Sequence, residues 1–187
     1  MGELLLISNT LATIIPTMSL KEKTVEYKIK DGANRLNDII RTEIKRKTLS
    51  KRNNISGEYS DDGGFDLSNT FSMLSIEPSL GPLVKLNLKS VNVNSDGTES
   101  NLVLKRVNGK TYNIHFWFAV FFIVLTVVIG IYQTISNGII ETSIFVLPIF
   151  GMIYILLIEL FAYSTISNLI KQIEKIMVAE KIEYKKL

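Results

Sequence analysis

The sequence predicts an α+β domain followed by a two-helix transmembrane hairpin and an amphipathic C-terminal helix. Three observations carry this. Apolar residues are concentrated rather than spread: residues 21–112 are rich in Lys, Asn, Asp and Ser, whereas residues 114–163 are almost purely apolar. The polar half contains several period-two stretches around one amphipathic helical stretch. The apolar half holds two runs, each of the length a helix needs to cross a bilayer.

Taken in order, residues 1–20 read as an N-terminal extension. The stretch Met1-Gly2-Glu3-Leu4-Leu5-Leu6-Ile7 lacks a basic leader, carries an early acid and is broken by Ser8-Asn9-Thr10, so it does not read as a signal peptide. Leu6 also spoils the myristoylation pattern, and Met18 offers an alternative start. Residues 21–112 form the α+β domain. Thr24–Lys30 alternates apolar and polar residues as a half-buried strand does, and Asp31-Gly32 ends it. Leu36, Ile39, Ile40 and Ile44 then recur at helical spacing, with Arg35, Asp38, Arg41 and Lys45 on the other face. Strand-like pieces follow at Ile55–Ser60, Phe65–Leu67, Leu83–Val93 and Leu102–Val107, with turns at Asp61-Asp62-Gly63-Gly64 and Asn94-Ser95-Asp96-Gly97. Val91 and Val93 fall out of phase with Val84, Leu86 and Leu88, which predicts a bulge or bend near Lys89-Ser90. The order is β-α-β-β-β-β, an antiparallel sheet with one packed helix.

Residues 113–164 form the hairpin, with helices at about 114–135 and 142–163. The first run, Phe116 to Tyr132, has no charge and carries Trp117 and Tyr132 near its ends, where aromatic belts sit. The second, Ile144 to Tyr163, contains Pro148, Gly151 and one charge, Glu159. A soluble protein with two such helices in its core needs a polar shell that this chain is too short to supply. Of the 21 Lys and Arg residues, 16 precede residue 114, none lies in the loop 133–143 and 5 follow residue 163. The positive-inside rule then places both termini in the cytoplasm and the protein in the inner membrane. Residues 165–187 form the C-terminal helix, with Ile166, Leu169, Ile170, Ile173, Ile176 and Met177 on one stripe. It is expected to pack on the domain or a partner subunit in preference to lying along the lipid surface.

Chemistry-bearing constellations are missing from the sequence. There is no cysteine and a single histidine, His115, which reads as an interfacial polar anchor. Asn92-x-Asn94-x-Asp96-Gly97 imitates a calcium loop, yet Asn92 stands where the first Asp belongs and Val103 where the last Glu belongs. Asp61, Asp62 and Asp66 read as turn and solubility residues. No cofactor, metal or catalytic residue is expected. Glu159 is the candidate intramembrane functional residue, either snorkelling to the interface or paired inside an oligomer. Thr126 and Gly130 are candidates for close helix packing. The basic residues Lys45, Arg46, Lys47, Lys51 and Arg52 read as a solvated helix end or as a site for anionic lipid head groups. Without an aromatic platform or a known module, nucleic acid is not an expected partner.

The segments Ile55-Ser56-Gly57-Glu58, Gly64-Phe65-Asp66-Leu67, Gly81-Pro82-Leu83-Val84 and Asp96-Gly97-Thr98, followed by two apolar helices, resemble a family of uncharacterised small two-helix membrane proteins of Bacteroidota. Leu86 departs from that family's pattern, which usually has Gly there. The resemblance implies the same architecture and no activity. The expectation from the residues is a non-enzymatic inner-membrane protein whose cytoplasmic domain binds a protein partner or forms a homo-oligomer, with an accessory or immunity role as one form. The alternative is a subunit of a small oligomeric channel or transporter using Glu159.

Overall fold

The computed structural model describes residues 24–30, 33–46, 53–60, 63–70, 81–93, 99–137 and 146–187. Positions 1–23, Lys47, Lys51, Arg52, Asp61, Asp62, the turn at 94–97 and the helix connection around Glu141 lie outside these described residues.

Six strands form one antiparallel sheet: β1 (Thr24–Lys30), β2 (Ile55–Tyr59), β3 (Phe65–Asn69), β4 (Val84–Asn92), β5 (Glu99–Asn108) and β6 (Glu183–Lys186). Their order across the sheet is β2-β3-β4-β5-β1-β6. The period-two pattern has its expected consequence. Val25, Tyr27 and Ile29 of β1, Leu86 and Leu88 of β4, and Leu102 and Leu104 of β5 are buried on one face. The other face carries Lys28, Lys85, Asn87, Lys89 and Lys105, with Lys28 bonded to Glu99 at 2.8 Å.

Two helices cover the apolar face. The first is α1 (Ala33–Lys45), which buries Leu36 and Ile40 and lies against β2 and β5. The second is the C-terminal part of a long helix. After α2 (Lys110–Asn137), α3 runs unbroken from Val146 to Ala179. At 1.5 Å per residue α3 is about 51 Å long, more than a bilayer's hydrocarbon core of about 30 Å. Its first part pairs with α2. Its last turns lie on β3 and β4, burying Ile166, Leu169, Ile170, Ile173, Ile176 and Met177.

Three findings differ from the sequence expectation. No bulge interrupts β4: its ladder to β5 runs without a break from Val84↔Asn108 to Asn92↔Ser100. Val91 and Val93 are therefore simply exposed: they share the phase of Lys85, Asn87 and Lys89 and fall on the face that the two helices do not cover. The apolar stripe at the C-terminus is not a separate helix, since α3 is continuous through it. The last residues form β6 instead of helix, pairing with β1 at its edge through Tyr27↔Lys186 and Ile29↔Tyr184. Lys181 makes this turn by adopting φ 56°, and the Ile182 amide bonds the Met177 carbonyl at 2.9 Å, a left-handed helix cap.

The register fixes which residues share an end of the sheet. Ile55 stands opposite Asn69, Leu67 opposite Leu86, Leu86 opposite Arg106, and Thr24 opposite Lys105. The starts of β1, β2 and β4 and the ends of β3 and β5 therefore lie together, at the end from which α2 departs.

Candidate functional site

The most constrained polar site lies where the sheet meets the helix pair. Arg106 belongs to the same alternation as Leu102 and Leu104, so its side chain points to the helix-covered face of β5, two residues before that strand ends. Glu159 lies on α3 between Ile158 and Ala162, which face inward, and is 7% exposed. The two meet as a fork. Arg106 Nη2 donates to Glu159 Oε2 at 2.8 Å, and Nη1 donates to Oε1. Tyr112, in the first turn of α2, donates its hydroxyl to Oε2 at 2.9 Å and lies 5.3 Å from the guanidinium. The hydrogen bond to Glu159 pushes the Arg106 pKa above its ordinary value, outweighing the opposing effect of burial. A planar guanidinium offers two parallel donors to a carboxylate, which fixes orientation as well as proximity.

One strand and two helices thus converge on one carboxylate, and the backbone beside it is equally fixed. Gly109 alone separates β5 from α2, with its amide bonded to the Leu83 carbonyl at 2.9 Å. A Cβ at Gly109 would come within 2.0 Å of the Pro82 carbonyl oxygen. Thr111 is 2% exposed and bonds the Gly81 carbonyl at 2.9 Å. A junction this short, bonded back to Gly81 and Leu83 and with Thr111 buried, leaves little freedom for the sheet to swing on the helices.

Beyond the junction the helices pack on small residues. Ala119 and Thr126 of α2 are buried at 2% and 7% exposure, and Gly130 is buried as well. Opposite them Gly151 of α3 admits Ile123 so closely that a Cβ there would lie 2.4 Å from its side chain. The Thr126 hydroxyl bonds back to the Phe122 carbonyl at 2.9 Å, so it presents no polar group to the seam. His115 reaches across to Tyr154, Nδ1 to Oη, at 2.7 Å.

Of the other sequence candidates, Lys45 and Arg46 end α1. Arg46 lies 3.3 Å from Glu43, whose other oxygen accepts the Asn53 amide at 2.8 Å. This ties the end of α1 to the start of β2. A groove of about 710 Å³ runs between α1 and α3, lined by Asp38, Glu43, Arg46, Lys175 and Glu180 among others, with both charge signs mixed along it. Among the described residues no three His, Cys, Asp or Glu side chains gather as metal ligands would.

Sequence reasoning named Glu159 and missed Arg106 and Tyr112. The signal was present: Arg106 occupies a core-facing phase of its strand at the boundary where Glu159 also falls, and two opposite charges forced to one level seek each other. No protein-family model, no curated protein and no solved structure matches the chain.

Proposed function

We propose that this chain is a non-enzymatic integral protein of the inner membrane. It holds its sheet domain in one fixed pose at the cytoplasmic surface, where the domain engages a protein partner or a second copy. The observation that supports this best is the exposure of the two apolar helices. Over their most hydrophobic windows α2 and α3 are only 17% and 28% buried, whereas the core helices of a soluble protein are mostly covered. Phe118, Phe121, Val128, Ile131, Phe150, Leu160 and Phe161 all project outward, a surface that suits hydrocarbon and not water.

The fork at Glu159 favours this reading over a channel. An ion-facing carboxylate must be open to the pathway, and here both oxygens are taken by Arg106 and Tyr112. A rigid mount serves recognition instead, because a domain held in one orientation loses less freedom when a partner docks. An accessory or immunity protein is one form of that role.

The test exploits the lack of native cysteine. A single Cys placed at Leu187 or at Gln133 becomes the only thiol. After alkaline extraction the chain should stay in the membrane fraction. An impermeant maleimide on intact cells should label Gln133→Cys and spare Leu187→Cys until permeabilisation. Release into the soluble fraction, or labelling of Leu187→Cys on intact cells, would falsify the proposal.

A further inference from the structure

The C-terminal strand is held lightly compared with the strand that it covers. β6 is the outermost strand on its side of the sheet, and all four of its residues are exposed, whereas β1 buries Val25, Tyr27 and Ile29. Apart from its ladder to β1, three contacts fasten it. Lys186 lies 3.8 Å from Glu174, the Tyr184 ring meets Tyr27 edge-on, and the Leu187 amide bonds the Glu26 carbonyl at 2.9 Å. Between α3 and β6 stands Lys181 at φ 56°, the only non-glycine residue with positive φ among the described residues. That conformation sets its Cβ against the following carbonyl, a cost that a helical Lys181 does not carry. Once released, α3 can run on through Lys181, whose amide then takes the Met177 carbonyl now held by Ile182. The chain beyond is turned away from its own β1.

We propose that β6 is an exchangeable strand: in a pair of copies, each chain lays its β6 on the β1 edge of the other. The inference rests on the second-copy form of the function proposed above and deepens it. Every contact of residues 182–187 re-forms in the second copy, so the exchange gives up no packing and relieves the turn at Lys181 twice. Ile182, 7% exposed, travels with the strand and fills the equivalent apolar site. Insertion of α2 and α3 gives all copies one orientation, so two β1 edges come side by side without either chain turning over.

The lack of native cysteine supplies the test. Lys28 of β1 stands opposite Lys185 of β6. Opposite residues of an antiparallel pair have Cα atoms about 4.5–5.5 Å apart, a span that a disulfide bridges. Full chains carrying Lys28→Cys and full chains carrying Lys185→Cys, with tags of different size, are co-expressed and briefly oxidised in native membranes. Exchange should join them in a mixed disulfide dimer. In an unexchanged pair each β1 keeps its own β6, which leaves the two thiols a further strand spacing apart, about 10 Å, too far to join. The chain with both changes bridges in either state and gives the reference for full yield. Lys181→Gly removes the cost of the turn and weakens the helical continuation, so it should lower the mixed dimer by about fivefold or more. No mixed disulfide, or a yield that Lys181→Gly leaves unchanged, overturns the proposal. Light scattering of the unmodified chain in mild detergent separates the two readings: a dimer without the mixed disulfide overturns the exchange alone, whereas a monomer overturns the second-copy reading with it.

Discussion

Replacing Glu159 by Leu takes away the counter-charge of a guanidinium that cannot follow it into water. The paired side chains are only 9% and 10% exposed. Breaking a buried pair from one side costs about 3–5 kcal/mol, because the remaining charge stays desolvated and unmatched. At about 2–4 °C per kcal/mol for a chain of this size, the apparent Tm in mild detergent should fall by about 6–20 °C. Arg106→Met should fall by a similar amount, from the opposite side. Tyr112→Phe removes one hydrogen bond to a charged group and should cost less, about 1.5–3 kcal/mol. The decisive variant is Arg106→Met/Glu159→Leu. With both charges gone and their volume kept, stability should return to within about 1 kcal/mol of the unmodified chain, as exchanges of buried pairs for apolar residues commonly do. Circular dichroism at 222 nm during heating provides the assay, and the four proteins close a double-mutant cycle. A double variant as unstable as its two single changes added together would mean that the side chains do not act as a pair.

Tyr27 donates its hydroxyl to Glu174, and burial, followed by that bond, pushes its pKa upward from the ordinary phenol value. The folded state therefore keeps this proton to higher pH than the unfolded chain. The stabilisation is complete below about pH 10, where both states are protonated, and declines above it as only the unfolded chain releases the proton. Tyr27→Phe should show a shallower loss of stability between pH 10 and 11 in alkaline titration; a slope equal to that of the unmodified protein would contradict the assignment. Gly109→Ala should destabilise the sheet–helix junction by about 1–3 kcal/mol, since the added methyl would meet a backbone carbonyl that has no rotamer to escape into. An unchanged Tm for that variant would show the junction to be looser than its bonds imply.

Much of the secondary structure was written in local pattern. The strand at Thr24–Lys30 alternates over its whole length, and its bounds match those expected. The helix at Leu36–Ile44 repeats its apolar residues at a spacing no strand can use. The two apolar helices need no partner to be recognised, because burial of their side chains depends on composition alone. Where the pattern has two solutions, it does not choose between them: Val91 and Val93 fit a bulge or bend, and equally valines exposed on the open face of a strand, whose ladder here runs without a bulge.

What the residues determined by themselves is the division of this chain into a sheet-forming part and an oily pair of helices, since side-chain period and hydrophobic length act locally. Tertiary structure alone decided how the parts are joined. Glu183–Lys186 is too short and too polar to announce a strand, and becomes one only because the edge of β1 offers unpaired backbone groups. Arg106 and Glu159 are 53 residues apart in sequence, and no periodicity connects them. They meet because α3 continues past its apolar run onto the sheet, which brings a core-facing arginine and an inward-facing glutamate to the same depth.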